Sequence, residues 1–412
     1  MRDLFGMLFA AWQGDLPVLL LTAAIALLVA ALAGFSARRL AHRLGAIDVP
    51  GGRHVHRAPT PRLGGVAVLA GVLTALPIGF ALLTGMHPEA LAELRPMAAI
   101  LVATVGVCVL GARDDIRPIA PSTKLAGLAV AGGLIVLGGV RIEFLELPFG
   151  RYQLGAVLGS VATLAWVLAC TNAVNLVDGV DGLGSGLSLA ASLALALVAH
   201  GMGDSTSAVA FLAVAGAAAG FLLHNREPAR IFLGDSGSLQ LGFLLAAISA
   251  NGCTKRATAL FLVAGLCALA VPLLDSTQSF VRRFRRASAA GPVTLRRRLI
   301  STACGDREHI HHRLLGQGHT HRRVSRTVVL CALVPALSAL LLLPSGHVGW
   351  QASLGAGVAS AIVLWRLAAM PSALKHRPPV AEKTEKDIVL PSSPPKRPRQ
   401  RTAQRDRQTE NV

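Results

Sequence analysis

Aromatic side chains are scarce in this 412-residue chain, at 4% of it with a single tyrosine. Acid is scarce as well: 22 Asp and Glu stand against 40 Lys and Arg. The six cysteines show no paired spacing. That excludes a disulfide framework and a cysteine zinc site, and leaves small buried hydrophobes. The shortage of acid is not a nucleic-acid signature, because the arginines fall in alternate loops between apolar runs. The first apolar run has no basic leader and no small-residue cleavage pattern, so it reads as a retained helix.

Apolar runs dominate what is present. The chain is 53% hydrophobic with a mean hydropathy of +0.56. A membrane span needs about 20 mostly apolar residues, and roughly eleven such stretches are predicted. The fold class expected is all-α: a polytopic membrane helical bundle with a short external hairpin at 141–150. Span one runs from about Leu16 to Phe35, followed by Arg38, Arg39, Arg43, Arg53, Arg57 and Arg62. This basic loop puts the N-terminus outside and the loop in the cytoplasm. Spans follow at about 65–83, 96–112, 125–140 and 154–170, and the last two at about 327–343 and 350–369. Residues 1–370 form the expected membrane domain. The tail 371–412, rich in Pro, Lys, Arg, Ser and Gln, reads as disordered and basic, suited to anionic membrane lipid.

Alternation places every polar, motif-like loop on the cytoplasmic side. The fullest is Asn172-Ala-Val-Asn175-Leu-Val-Asp178-Gly-Val-Asp181-Gly182, read as a loop. Unpaired polar groups in lipid cost several kcal/mol, so such a cluster faces water or a ligand. Its oxygen donors suit a hard cation. Asp114-Asp115 closes the third span. Adjacent carboxylates repel and hold a cation or share a proton, and they oppose the helix dipole at that end. Lys124 follows, placed to meet a phosphate. Gly234-Asp235-Ser236-Gly237-Ser238 reads as a helix start that favours phosphate, with Phe232 beside it to stack on a base. His309, His311, His312 and Arg313 lack metal-ligand spacing and lie among arginines, which favours diphosphate over zinc. Acids for Mg²⁺ and bases for phosphates are the equipment of phosphoryl transfer.

The stretches from Asp48-Val-Pro-Gly-Gly-Arg53 to Gly65, Asp114-Asp115, Asn172-x-x-Asn-x-x-Asp-Gly-x-Asp-Gly182, Phe232-Leu-Gly-Asp-Ser-Gly237 and His309-Ile-His-His-Arg313 occur in that order. Together they resemble the polyprenyl-phosphate N-acetylhexosamine-1-phosphate transferases, nearest to the branch acting on undecaprenyl phosphate and UDP-N-acetylglucosamine. The resemblance implies attack of undecaprenyl phosphate on a UDP-N-acetylhexosamine, with release of UMP. It implies Mg²⁺, or Mn²⁺ in its place, on Asn175 and Asp235. Asp114, Asp115 and Asp178 are then the catalytic acids. Lys124 is a lipid-phosphate contact, Asn172 a substrate contact, and Asp181 and Phe232 hold uracil. His309, His311, His312 and Arg313 hold diphosphate or sugar. A homodimer is compatible with this reading.

Two departures bear on sugar selectivity: position 54 is His where Lys is usual, and the loop 287–305 is lengthened. The competing readings are a secondary transporter, whose charges line mid-bilayer, and a basic membrane anchor, which leaves the Asn/Asp stretch unexplained.

Overall fold

The computed structural model describes residues 2–49, 59–147, 150–252, 314–315 and 317–338, with isolated positions at 273, 275, 277, 278, 281, 355, 359, 362, 363 and 366. Nine α-helices lie among the described residues. They are α1 (Arg2–Leu44), α2 (Gly64–Met86), α3 (Leu94–Ile116), α4 (Pro121–Leu137), α5 (Gly155–Val177), α6 (Leu183–Gly201), α7 (Ser205–Asn225), α8 (Gly234–Gly252) and α9 (His321–Ser338). Two antiparallel strand pairs complete them. β1 (Ile47–Asp48) pairs with β2 (Thr60–Pro61), and β3 (Phe144–Leu147) with β4 (Gly150–Gln153). The second is the hairpin expected after the fourth span.

Among the described residues, six helical stretches are long and apolar enough to cross a membrane: Gly14–Leu44, Gly64–Met86, Pro88–Ile116, Gly155–Val177, Leu183–Gly201 and Ser205–Asn225. The chain is therefore an all-α, multi-pass membrane protein. Residues 253–272, most of 274–313, most of 339–369 and the tail 371–412 fall outside the described residues. One expectation changes. The Asn172–Val177 stretch, read as loop, is the end of α5. Its run of Ala, Val and Leu continues the apolar helix, and the first break comes at Asp178, whose backbone leaves the helical region.

Small residues decide the packing. α1 lies against α7 and α2, and α8 lies between α3 and α5. Gly216 and Gly220 of α7 touch the backbone of α1 at Ala23 and Leu27, where a Cβ would overlap. Such close approach is how membrane helices gain van der Waals contact without a hydrophobic drive. Phe211, Phe221 and Phe243 fill the interior between these helices.

Polar ties fix both ends of the bundle. At one end, Asp15 of α1 binds His87 Nε2 at 2.8 Å and the hydroxyl of Ser205. Arg95 donates to the Leu137 carbonyl at 2.7 Å, and Asn251 to Glu93 at 3.0 Å. The opposite end gathers the last turns of α3, α5 and α7 and the first turns of α2, α4, α6 and α8. The motif residues lie there.

Candidate active site

The start of α8 is clasped by three segments. The N–H groups of Gly64 and Gly65 donate to the carbonyls of Phe232 and Leu233 at 3.0 and 3.1 Å, and Phe232 N–H donates to Pro61 O at 2.8 Å. Thus the first turn of α2 finds partners for its orphan N–H groups, and the Phe232–Leu233 backbone is held straight. A Cβ on Gly65 would strike the backbone of Ser236 and Gly237; one on Gly111 of α3 would strike that of Asp235 and Ser236. Asp235 therefore sits on a turn wedged between two glycines.

The adjacent acids of α3 part company. Asp115 is buried, at 7% exposure. Its two oxygens accept the N–H groups of Asp235 at 2.8 Å and Ser236 at 3.0 Å. This is an N-cap for α8 supplied by another helix; a negative charge there also meets the positive end of the helix dipole. Gly234 has φ +70°, and a Cβ on it would meet the Asp115 carboxylate. Asp115 thus holds the backbone of Asp235 and Ser236 in place. Asp114 turns the other way. Its Oδ1 accepts from Ile119 N–H at 2.8 Å and its Oδ2 from Lys124 Nζ at 3.1 Å. Lys124 Nζ also donates to Asp235 Oδ2 at 2.7 Å. One ammonium therefore bridges carboxylates 121 positions apart in sequence, on α3 and α8.

The Asn/Asp stretch divides its roles in the same way. Asn175 Oδ1 accepts from Ser238 Oγ at 2.6 Å, so it stands one helical turn along α8 from Asp235. Asp178 Oδ1 accepts from Gly184 N–H at 3.1 Å and caps α6. Burial, together with the neighbouring Asp235, Asp115 and Asp181, pushes the Asp178 carboxyl up to about 7 against that hydrogen bond. Asp181 Oδ2 accepts from Ala229 N–H at 3.0 Å, which ties this loop to the one before Phe232. Asn172 returns its amide N–H to Leu168 O at 2.7 Å on its own helix. His309, His311, His312 and Arg313 lie outside the described residues, as do Arg53, His54, His56 and Arg57.

A raised acid stabilises the fold in its neutral form. That contribution is complete below the ordinary carboxylate range and is lost as pH rises through about 7. In metal-free protein, Asp178→Asn is therefore expected to melt higher than the parent at about pH 8 and level with it near pH 4. The amide oxygen still accepts from Gly184. Thermal melts at the two pH values check this, and equal melting at both would refute it.

One residue that joins these segments, Asn225, carries no signal in the sequence. Asn225, 2% exposed, accepts from Gly182 N–H at 3.1 Å and Ser185 Oγ at 2.8 Å, and donates to Ile231 O at 3.1 Å. It joins the Asp178–Gly182 loop to the segment carrying Phe232. Nothing local in His224-Asn225-Arg226 signals this. Ser238 was legible in principle, since three residues on from Asp235 is the same helical face.

Among the described residues no three His, Cys, Asp or Glu side chains converge to hold a metal. Two carboxylates, Asp114 and Asp235, do share one cation, the Lys124 ammonium, with the Asn175 amide one turn away. That set fits Mg²⁺, which keeps several waters and takes one or two carboxylates plus substrate phosphates.

The family model described as "Glycosyl transferase family 4" matches residues 97–252, the span that holds every described site residue. The chain is 34% identical over 308 residues to the "Probable undecaprenyl-phosphate N-acetylglucosaminyl 1-phosphate transferase" of Bacillus subtilis, covering 74% of this chain and 79% of that one. It is 36% identical over 372 residues to the "Decaprenyl-phosphate N-acetylglucosaminephosphotransferase" of Mycobacterium tuberculosis, covering 81% and 85%. It is 29% identical over 311 residues to the "Undecaprenyl-phosphate alpha-N-acetylglucosaminyl 1-phosphate transferase" of Escherichia coli K12, covering 73% and 78%.

Proposed function

Because the chain belongs to glycosyl transferase family 4, we propose that it transfers N-acetylglucosamine-1-phosphate from UDP-N-acetylglucosamine to undecaprenyl phosphate, releasing UMP. The observation that carries this reading is the meeting of Asp114, Lys124, Asn175 and Asp235, from four helices, at one end of a membrane bundle. A site at a membrane face joins a water-soluble donor to a lipid acceptor. Its location at the cytoplasmic face of the bacterial inner membrane follows from the arginine-rich loops flanking that end.

In the reaction the acceptor phosphate oxygen forms a bond to the β-phosphorus of the donor, and the bond from that phosphorus to the UMP oxygen breaks. A phosphate monoester is largely ionised near pH 7, so the protein has little proton to remove. Positioning and charge neutralisation remain. Asp235 and Asn175, with Asp114 beside them, would hold Mg²⁺, which when bound would supply neutralisation of the diphosphate and of the leaving UMP. Lys124 offers a mobile positive charge to the acceptor phosphate. Asp115 and Asp178 hold the starts of α8 and α6 so that Asp235 and the Asp178–Gly182 loop keep their places. Phe232, on its clamped backbone, and Asp181 shape the uracil end. His309, His311, His312 and Arg313 are assigned to diphosphate and sugar.

The test is release of UMP from UDP-N-acetylglucosamine by purified protein in lipid nanodiscs. Turnover is expected only with both undecaprenyl phosphate and Mg²⁺ or Mn²⁺ present. Release without lipid acceptor, or undiminished in excess chelator, would overturn the reading.

A further inference from the structure

We propose that Lys124 is a built-in counter-ion: its ammonium occupies the two-carboxylate seat of the divalent cation, which must displace it, and displacement frees that ammonium for the acceptor phosphate. The proposal deepens the reading above and rests on it. It starts from the ion pairs: Lys124 Nζ lies 2.7 Å from Asp235 Oδ2 and 3.1 Å from Asp114 Oδ2. All three side chains are largely covered, at 24%, 23% and 15% exposure.

Two carboxylates facing one another under cover repel, and leaving either unpaired is strongly unfavourable. An ammonium between them removes the repulsion when no metal is bound. Asp114 has already committed its other oxygen to Ile119 N–H. The oxygen left to it is the one that Lys124 holds.

A divalent ion arriving at those oxygens meets a like charge already seated. The two compete for the same oxygens, because the nearby carboxylates already accept backbone hydrogen bonds: Asp115 from Asp235 and Ser236, and Asp178 from Gly184. Lys124 lies in the first turn of α4 (Pro121–Leu137), where the helix dipole disfavours a cation. Its place is therefore held by the two acids and not by its own helix. Its four-carbon stem lets the ammonium swing away once they are taken. Metal and acceptor lipid then become coupled. Metal entry both completes the donor site and releases the positive charge that the lipid phosphate needs, so each favours the other.

Mn²⁺ binding to the full-length protein in nanodiscs, followed by the electron paramagnetic resonance of free Mn²⁺, tests this without any substrate. Removing a competitor that occupies the seat most of the time raises apparent affinity in proportion, so Lys124→Met should lower the Mn²⁺ Kd about tenfold. Lys124→Arg, which keeps the charge, should stay within about twofold of the parent. A Kd for Lys124→Met that is unchanged or higher would overturn the proposal. If that variant does not fold, amine acylation of the parent, read at the Lys124 peptide by mass spectrometry, decides instead. Saturating Mg²⁺ should speed acylation of Lys124, and an unchanged or slower rate would overturn the proposal. Parent protein that binds no Mn²⁺ at all removes the metal assignment along with this inference. Parent protein that binds Mn²⁺ with a Kd indifferent to Lys124 removes this inference alone.

Discussion

Asp235→Asn is expected to lower turnover by about a thousandfold, the scale seen when a charge or donor facing the transition state is removed. The substitution keeps the shape of the side chain. It also keeps the helix start, because Asp115 grips the backbone N–H groups of residues 235 and 236 and not the Asp235 carboxylate. The protein should therefore insert, fold and melt close to the parent. What changes is charge. The variant has one carboxylate, Asp114, where the parent has two. UMP release per folded molecule, measured beside a thermal melt, separates the two effects. Near-normal turnover in a folded variant would mean that Asp235 is not the ligand argued for above.

Gly111→Ala tests geometry instead of charge, and it adds only a methyl group. That methyl would overlap the backbone of Asp235 and Ser236. Backbone cannot rotate out of the way as a side chain can, so α8 must shift against α3. Overpacking of this kind costs about 1–3 kcal/mol. Displacing a reacting group by about 1 Å is enough to cost a hundredfold in rate. Turnover is expected to fall by about that factor, with a melting temperature lowered by several degrees. Gly106→Ala, on the same helix with open space at its Cβ, should leave both almost unchanged. Equal behaviour of the two variants would show that the clasp around α8 is looser than described.

Much of this site was legible in the chain. Helices announce themselves by apolar runs, and the first strand and turn of the hairpin by alternation and a Pro-Phe-Gly ending; its second strand, Gly150–Gln153, lies beyond the expected 141–150. The motif acids stood out because acid is rare and lipid makes unpaired acid costly. What the chain concealed is the division of labour among those acids. Asp114 and Asp115 are neighbours, yet one faces Lys124 and the other accepts the N–H of a residue 120 positions later, in the first turn of α8. Both uses favour a carboxylate, so residue type does not distinguish them. Asn172 and Asn175 were assigned to a loop because polar residues break an apolar pattern. A helix end that points into a shared polar site breaks the pattern equally well. Asn225 carries no such mark, because two of its three partners, Gly182 and Ser185, lie about 40 residues earlier in the chain, and a lone amide at a helix end does not announce them.

The borrowed caps also bear on how the protein is made. A helix start without hydrogen-bond partners is poorly tolerated at the edge of lipid, and in this chain the acid that satisfies such a start is always synthesised first. Asp178 precedes α6 by a few residues and is ready as soon as that hairpin enters the bilayer. Asp115 leaves the ribosome long before α8 and waits for it in the growing bundle. For α6 and α8, membrane insertion in chain order therefore delivers the new helix to a receptor already in position, and the second of these arrivals brings Asp235 with it.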